Sequence, residues 1–405
     1  MSNPFAGKTI ILGITGSIAA YKGADLASKL HQAGAVVDVV LTQGALHFIH
    51  PLTFQSVTSR KAYTDQDLWG GEGHVAHITL GRSADLIVVA PASASTISKL
   101  ASGQADNLLV LAHLASDCPL LLAPAMDGGM YAHPATQANL ELLRQRGAHT
   151  IGPASGHLAS GLVGPGRMVE PLEILGFARY VLSRGGPLAR KKIVVTAGGT
   201  QEPIDPVRFI SNRSSGKQGF ALAQAAIDAG ADVTLITGPN ALPTPGGAHR
   251  LEIHTAAEML AVVLRETAGA DALLMAAAVA DFRPADFADQ KIKKQSGFTQ
   301  LNLAPTTDIL AEVAARRTAG EGPRCVVGFA AESQDLLHNA QSKLQAKHLD
   351  MIVANDISAK DAGFEVDTNR VTLLFAGGRQ ETLPLLSKQE VADRIMEQIV
   401  QWLLA

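Results

Sequence analysis

The segment that decides the fold is KKIVVTAGGTQEPIDPVRFISNRSSGKQGFA, residues 191–221. Its apolar run at 193–196 predicts a buried parallel strand, and residues 219–229 show the apolar spacing of a helix. A glycine pair at 198–199 and a long polar loop separate the two. A strand, a glycine turn and a helix N-terminus form the anion site of an open α/β sheet, because free N–H groups and the helix dipole face the ligand.

The loop between the glycine pair and the helix is too long for a plain dinucleotide-binding turn. It is not a phosphate-binding loop of the G-x-x-x-x-G-K type either, because Ser211 stands where that pattern requires glycine. Loops of this length inside a compact domain are usually functional. We therefore predict that this loop binds a ligand by another scheme.

Length and composition indicate a two-domain soluble protein. With about 150 residues per domain, the 405 residues suit two domains, and the 47% hydrophobic content supplies two cores. The net charge of -3 provides no general basic surface, so nucleic acid is not an expected partner. Two cysteines, Cys118 and Cys325, indicate a reducing compartment rather than a disulfide framework.

The chain shows no targeting or membrane segment. It enters a predicted strand at Thr9, which leaves no room for a signal peptide. No run approaches the roughly 18 apolar residues of a membrane helix. We expect a cytoplasmic enzyme or binding protein.

A linker divides the chain. Residues 170–182 predict a helix, SRGGP at 183–187 is typical of a linker, and a basic stretch at 190–192 opens a new strand. The sequence AGADVTL at 229–235 echoes AGAVVDV at 33–39, each ending a first helix and beginning a second strand. We predict two doubly wound, Rossmann-like α/β domains, residues 1–186 and 190–405.

Three strand ends of the first half point to one rim. The predicted strands are residues 8–14, 85–90 and 119–123. The first leads into a glycine–serine helix start, and the second into the hydroxyl-rich PASAST at 91–96. Because open α/β sheets bind ligands at the carboxyl edge of the strands, this rim is a candidate site.

Two histidines, His74 and His77, lie three residues apart before the second of these strands. No further ligands stand nearby at a typical metal spacing, so a metal site is disfavoured. A catalytic histidine and an ordinary surface or capping histidine both stay open on this pattern.

The first half resembles the flavin-dependent cysteine decarboxylases, specifically the N-terminal half of the bifunctional phosphopantothenoylcysteine decarboxylase/phosphopantothenate–cysteine ligase family. The segments that carry the resemblance are GSIAAYK at 16–22, HITLG at 77–81, APASA at 90–94, PAM at 124–126 with MY at 130–131, and GPGRM at 164–168. The resemblance implies bound FMN. The residues it implies for the cofactor are Gly16, Ser17 and Thr42 near the phosphate, and Ser93, Ala94 and Met126 near the ring.

The resemblance also implies that His77 is the active-site histidine. In such an enzyme, flavin oxidises the thiol so that the adjacent carboxylate leaves as CO2, and a histidine suits the proton transfers. Two positions depart from the family pattern. Asp127 stands where asparagine is common, and an ionised carboxylate can only accept hydrogen bonds. Ser160 stands where a cysteine commonly donates the last proton, and a hydroxyl is a weaker acid than a thiol of pKa about 8.5.

The second half gathers cations near predicted strand ends. An apolar run at 271–280 predicts a strand that ends in Asp281, and KIKK follows at 291–294. Lys343 and Lys347 lie one helical turn apart and so share a face. This pattern favours a polyphosphate ligand held without a phosphate-binding loop.

The second half resembles phosphopantothenate–cysteine ligase along its whole length. The matching segments are DPVR at 205–208, SNRSSGK at 211–217, AAAVAD at 276–281, KIKK at 291–294, GFAAE at 328–332 and AND at 354–356. The resemblance implies that CTP, with Mg²⁺ bridging its phosphates, activates 4'-phosphopantothenate as an acyl-cytidylate that the cysteine amine then attacks. Asn212 would hold the acyl group and Lys291 would stabilise charge. The implied nucleotide contacts are Ala277, Asp281, Lys291, Thr307, Asp308, Phe329, Lys343 and Lys347.

Together the resemblances predict consecutive steps of coenzyme A synthesis, with the ligase product feeding the decarboxylase. They imply a homo-oligomer that contains decarboxylase trimers and ligase dimers. The alternative is an active ligase fused to a flavin-binding module with impaired decarboxylation, which Asp127 and Ser160 motivate. A flavin prenyltransferase and a non-catalytic nucleotide-binding protein are weaker interpretations. The sequence leaves open CTP against ATP, the metal ligands and the group that replaces the family cysteine.

Overall fold

The computed structural model describes residues 3–69, 75–293, 300–332, 335–356 and 366–405. The Cα packing divides the chain into two compact units, Ser2–Leu182 and Ser183–Ala405. No helix in these described ranges combines the length and hydropathy needed to cross a membrane.

A parallel sheet forms the centre of the unit Ser2–Leu182. Its strands within the described residues are β1 Thr9–Ile14, β2 Val36–Leu41, β3 Ala62–Tyr63, β4 Leu86–Ala92, β5 Leu120–Pro124 and β6 His149–Thr150. They lie in the order β3-β2-β1-β4-β5-β6, and every pairing is parallel. This is the order of the doubly wound nucleotide-binding fold, with its switch point between β1 and β4.

Helices cover both faces of this sheet. They are α1 Ala20–Gln32, α2 Pro51–Thr58, α3 Ala76–Ser83, α4 Ala94–Ser102, α5 Leu108–Leu114, α6 Gly128–Ala132, α7 Pro134–Gln145 and α8 Pro171–Ser183, with 3₁₀ turns at Ala45–His47 and Asp65–Trp69. Strand β1 shows why both faces need cover: Ile10 and Leu12 enter one apolar cluster, and Ile11 enters the other. A strand buried on both faces reads as a continuous apolar run. A separate antiparallel hairpin, β7 Ala154–His157 and β8 Val163–Arg167, precedes α8.

The unit Ser183–Ala405 is also built around a mainly parallel sheet. Its strands within the described residues are β9 Lys192–Ala197, β10 Gln201–Pro203, β11 Phe209–Ser211, β12 Asp232–Thr237, β13 His249–Glu252, β14 Ala272–Met275, β15 Phe282–Pro284, β16 Leu303–Pro305, β17 Cys325–Glu332, β18 Met351–Asp356, β19 Thr368–Asn369, β20 Val371–Phe375, β21 Gln380–Thr382 and β22 Leu386–Ser387. The main sheet has the order β13-β12-β9-β14-β17-β18-β20-β21, of which β20 and β21 are antiparallel additions. The prediction of two doubly wound α/β folds is confirmed.

The helices of this unit are α9 Lys217–Asp228, α10 Ala256–Glu266, α11 Ile309–Thr318, α12 Leu336–Ala346 and α13 Lys388–Leu404. Ser387 and Glu390 form a capping box at the start of α13. Such reciprocal hydrogen bonds satisfy N–H groups that a helix leaves unpaired.

Two sequence predictions differ from the structure. The predicted strand at 271–280 stops at Met275, because the next N–H groups donate elsewhere: Ala277 to the Thr196 hydroxyl at 3.1 Å and Ala280 to the Thr200 hydroxyl at 3.0 Å. The apolar run therefore continues as a partly buried connection over residues 276–279. The long polar loop after β9 contains the β10–β11 hairpin rather than irregular chain alone.

Candidate functional site

The unit Ser2–Leu182 has a cavity of about 880 Å³ at the carboxyl edge of its sheet. A volume of this order suits a cofactor with its substrate. The sequence-predicted residues that line it are Gly16, Ser17, Thr42, Ser93, Ala94, Met126, Asp127 and Ser160.

One end of this cavity is formed by two glycine backbones in close approach. A Cβ atom on Gly16 would lie 3.2 Å from the backbone of Gly44. Next to them, the Ser17 hydroxyl accepts the Ala19 N–H at 3.3 Å, and α1 begins at Ala20. A helix start with small residues and a hydroxyl suits a phosphate group.

The floor of the cavity is fixed by the buried hydroxyl of Thr15. It donates to the carbonyl oxygen of Pro91 at 2.7 Å and accepts the Ser93 N–H at 2.9 Å. These bonds join the end of β1 to the end of β4. The Ser93 hydroxyl in turn accepts the Thr96 N–H at 3.4 Å and caps α4. The groups facing a ligand here are therefore held in place before it binds.

The wall of the cavity packs against the β7–β8 hairpin. The Met126 N–H donates to the Gly166 carbonyl oxygen at 3.0 Å. A Cβ atom on Gly166, whose φ is 151°, would lie 2.2 Å from the Met126 carbonyl oxygen. Only glycine fits this contact, which keeps Met126 and the hairpin together.

The two residues that depart from the family pattern contact each other. The Ser160 hydroxyl donates to Asp127 Oδ2 at 2.6 Å, and Asp127 Oδ1 accepts the Gly129 N–H at 2.9 Å. These two hydrogen bonds, that of Ser160 first, lower the pKa of Asp127 below its usual value. Ser160 is therefore occupied as a donor to a carboxylate on the cavity wall.

His77 does not line this cavity. It lies in the first turn of α3, and its Nδ1 is buried without a hydrogen-bond partner among the described residues. Its catalytic role stays a prediction, and His74 lies outside the described residues. Three cations that the sequence analysis had not selected do line the cavity, namely Lys22, Lys99 and Arg167.

The unit Ser183–Ala405 has a second cavity, of about 490 Å³, at the carboxyl edge of its own sheet. The predicted residues that line it are Asn212, Ala277, Asp281, Thr307, Asp308, Phe329, Lys343 and Lys347. Residues from distant stretches of the sequence thus meet at one site.

Asn212 stands where the polar loop meets the connection after β14. Its Nδ2 donates to the Val279 carbonyl oxygen at 3.0 Å. The neighbouring Ser211 hydroxyl donates to the Thr200 carbonyl oxygen at 2.7 Å. These bonds orient the amide at the rim of the cavity.

Lys347 and Asp308 form an ion pair on another side of the cavity, with Nζ and Oδ2 2.9 Å apart. Asp308 also caps α11 by accepting the Leu310 and Ala311 N–H groups at 3.1 and 3.2 Å. Burial alone would raise the pKa of Asp308, but the Lys347 and helix hydrogen bonds outweigh it and lower the pKa. Lys343 lies one turn before Lys347, as the spacing predicted.

Two further lysines, Lys217 and Lys388, line the cavity. Lys217 pairs with Asp367 at 2.6 Å. Burial and the charge of Lys217 lower the pKa of Lys388, while Asp367 opposes them. Lys388 belongs to no sequence motif and lies at the start of α13, so the sequence carries no signal that would place it at this cavity.

Lys291 does not line the second cavity, although it belongs to the described residues. Its role stays a prediction, and Lys294 of the same basic run lies outside the described residues. Within the described ranges, no group of three or more His, Cys, Asp or Glu side chains is placed to hold a metal ion.

Comparison with known proteins covers both units. Residues 2–182 match the family described as flavoprotein, and residues 188–403 match the family described as DNA/pantothenate metabolism flavoprotein C-terminal domain. Over 395 residues, the chain is 45% identical to the coenzyme A biosynthesis bifunctional protein CoaBC of Bacillus subtilis (97% of this chain, 96% of the relative). The protein of that name from Vibrio cholerae is 45% identical over 396 residues (97% and 98%).

A relative from Mycobacterium tuberculosis strain H37Rv, again named coenzyme A biosynthesis bifunctional protein CoaBC, is 43% identical over 408 residues (98% of this chain, 97% of the relative). The similarity thus runs through the residues of both cavities and the chain between them. The chain belongs to the family of the coenzyme A biosynthesis bifunctional protein CoaBC.

Proposed function

We propose that this chain performs two consecutive steps: CTP-dependent ligation of cysteine to 4'-phosphopantothenate, then FMN-dependent conversion of the product to 4'-phosphopantetheine. In this proposal residues 190–405 form the ligase domain and residues 1–186 the decarboxylase domain. The observation that carries it is the second cavity, which Asn212 lines together with Lys343, Lys347 and Asp281. An amide for an acyl group and cations for a polyphosphate are what acyl activation by a nucleotide requires.

The ligase step has two displacements. A carboxylate oxygen of 4'-phosphopantothenate attacks the α-phosphorus of CTP, the bond to pyrophosphate breaks, and an acyl-cytidylate forms. The cysteine amine then attacks the acyl carbon, CMP leaves, and the amine proton passes to solvent or base. Asn212 would donate from its amide to the acyl oxygen. The lysines would offset the charge on the phosphates.

We propose that Mg²⁺ binds to the phosphates of CTP rather than to a site formed by protein ligands alone. Mg²⁺ keeps several waters and commonly binds substrate phosphates with one or two carboxylates. Asp281 lines the cavity and is the carboxylate we propose for this contact.

The first cavity fits FMN in size and in its donors. The Gly16–Gly44 approach, the Ser17 hydroxyl and the start of α1 suit a phosphate, and the Thr15–Ser93 bonds fix the floor. We propose that Gly16, Ser17 and Thr42 hold the phosphate and that Ser93, Ala94 and Met126 border the ring. When bound, FMN supplies the redox chemistry that makes the substrate's carboxylate able to leave.

Decarboxylation here would run with Asp127 and Ser160 in place of the family residues. The Ser160 hydroxyl is committed to Asp127 at 2.6 Å, so a solvent molecule or another acid must supply the last proton. His77 would assist the proton transfers. The alternative, an active ligase with an impaired decarboxylase, rests on the same pair of residues.

The exposed apolar side chains support the proposed homo-oligomer. In the unit Ser183–Ala405 several of them lie on the β10–β11 and β15–β16 hairpins, and β10 contacts β15. The exposed members of this surface are Val207, Phe209, Phe282 and Leu303. In the unit Ser2–Leu182, Ile18 and Tyr21 line the first cavity and are also exposed. We propose a ligase dimer through the hairpins and a decarboxylase trimer beside the first cavity.

Oxygen transfer tests the ligase step. If the carboxylate of 4'-phosphopantothenate carries labelled oxygen, an acyl-cytidylate route places one labelled oxygen in CMP. Mass spectrometry of CMP would show it. CMP without label, formed together with the ligated product, would overturn the acyl-cytidylate route.

A further inference from the structure

Residues 203–208 form a tight turn between β10 and β11 that encloses a carboxylate. The N–H groups of Ile204 and Asp205 donate to the Arg208 carbonyl oxygen at 2.8 and 3.3 Å. Asp205 is 2% exposed. Its Oδ1 accepts the N–H groups of Val207 and Arg208, both at 2.9 Å. The Arg208 guanidinium donates to Oδ2 through Nε at 3.0 Å and also through Nη2.

The same ion pair holds a distant segment. Asp205 Oδ2 accepts the Ile292 N–H at 3.1 Å, and Arg208 Nη2 donates to the Ile292 carbonyl oxygen at 2.9 Å. A third bond runs from the Ala288 N–H to the Ile204 carbonyl oxygen at 3.1 Å. The N–H and carbonyl groups of Ile292, which follows Lys291, are therefore both held by this one turn. The bonded residues are 87 and 84 positions apart in the sequence.

The carboxylate is held in its charged form. The Arg208 hydrogen bonds, followed by the backbone N–H donors, keep the pKa of Asp205 well below its usual range. A carboxylate that accepts this many donors leaves them unpaired if it is replaced. Such a replacement therefore loosens both the turn and the segment that the carboxylate holds.

The turn also connects to the second cavity. Strand β11 runs from Phe209 to Ser211 and leads directly into Asn212, whose amide donates to Val279 at 3.0 Å. One short hairpin therefore has Asn212 at one end and the contacts to Ile292 at the other. A displacement of about 1 Å in a reacting group can cost about 100-fold in rate.

We propose that Asp205 is a positioning residue. Together with Arg208, it fixes residues 291–293 through the Ile292 backbone and so sets where Lys291 stands relative to Asn212. The catalytic consequence rests on the proposed ligase function. The structural part is independent of that function.

Limited trypsin digestion with peptide mass spectrometry tests the structural part, because Lys291 and Lys293 are exposed trypsin sites. In Asp205→Asn, cleavage after these two lysines becomes at least about tenfold faster, as expected for a segment whose local opening costs less free energy. The control is Asp232→Asn. It removes the Arg184–Asp232 ion pair of 2.6 Å at the start of β12 and leaves the cleavage unchanged.

Steady-state kinetics test the catalytic part. Asp205→Asn lowers the turnover of ligation about 10- to 100-fold while the KM for CTP changes by less than about twofold, because the Lys343 and Lys347 side of the cavity is untouched. Unchanged cleavage after Lys291 and Lys293 would overturn the proposal, as would a higher KM with unchanged turnover.

A variant that unfolds would be cleaved throughout the chain. In that case Arg208→Lys replaces Asp205→Asn in the test. It keeps the positive charge but lacks the planar guanidinium that reaches both Asp205 and Ile292. It must accelerate cleavage after Lys291 and Lys293 while sites outside the turn and this segment keep their wild-type rates. Wild-type cleavage after the two lysines would overturn the proposal. If the wild-type protein does not catalyse ligation, the proposed function is refuted. The comparison of cleavage rates would still decide whether the turn holds the segment.

Discussion

The two cavities occupy the same place in their folds but differ in charge. Each lies at the carboxyl edge of a sheet whose order reverses beside its first strand, β1 in one unit and β9 in the other. The first is larger, and the three cations that line it, Lys22, Lys99 and Arg167, are matched by three aspartates in the same lining. The second gathers four lysines around a smaller space.

This difference shows what the fold decides and what the loops decide. The strand order places a ligand site at the switch point in both units. Hydroxyls and N–H groups at a helix start suffice for one phosphate. A triphosphate brings more charge and is matched by cations. The loops after the strands therefore select the ligand.

The largest expected effect is a loss of ligation without a loss of bound flavin. Asn212→Ala and Lys291→Gln each lower the rate of ligation about 100-fold or more, since removal of one donor to a developing charge typically costs that much. Flavin content, read from the visible absorbance of the purified protein, stays at the wild-type level in both variants. Ligation at the wild-type rate in both variants would refute the ligase assignment.

The next effect is confined to the first cavity. Gly166→Ala places a Cβ atom 2.2 Å from the Met126 carbonyl oxygen, so the wall must move. We expect flavin content to fall about tenfold, equivalent to roughly 1.4 kcal/mol of binding, while ligation continues. The matched control is Gly164→Ala in the same strand, where an added Cβ meets nothing within 4 Å. Equal flavin content in the two variants would contradict the fit of FMN to this wall.

Residues placed directly after a strand end were the ones that the sequence predicted best. Ser17, Thr42 and Ser93 come soon after the predicted strands, so the sheet rule alone places them on one rim. Asp281 and Phe329 also line the second cavity, but the strand predicted to end before Asp281 stops at Met275, and Phe329 lies within β17 rather than after it. In the first three cases local chain direction decides position.

Contacts that depend on distant segments could not be predicted. Ser160 meets Asp127 only because the β7–β8 hairpin folds back over the wall. Lys388 and Asn369 contact Gln218 beside the second cavity, at separations of 170 and 151 residues. No motif spacing encodes such meetings. Lys291 shows the converse, since a motif residue stands outside the cavity lining while the Asp205 turn holds its segment.

A smaller effect, on the KM for CTP, tests the difference in charge between the two cavities. Lys347→Met removes one cation of the second cavity and its ion pair with Asp308 of 2.9 Å. We expect the KM for CTP to rise about tenfold, the size of one charged hydrogen bond. Lys192→Met is the control, since Lys192 pairs with Glu266 at 3.6 Å at the start of β9. An equal KM in both variants would mean that Lys347 does not face the nucleotide.

The smallest expected effect concerns pH in the first cavity. The Ser160 hydrogen bond lowers the folded-state pKa of Asp127. The contribution of this bond to folding stability is therefore present above the usual aspartate pKa of about 4 and is lost as the pH falls through the lower folded-state value. Ser160→Ala therefore moves the titration of Asp127 to higher pH. Carbon NMR of the Asp127 carboxyl group measures it, and identical titration in both proteins would contradict the contact.

Product analysis of the intact protein tests the central claim most directly. The protein would be supplied with 4'-phosphopantothenate, cysteine, CTP and Mg²⁺, and its products identified by mass spectrometry. We predict 4'-phosphopantetheine, formed through phosphopantothenoylcysteine. Accumulation of phosphopantothenoylcysteine alone would support the alternative with an impaired decarboxylase, and the absence of any acylated cysteine would contradict the account as a whole.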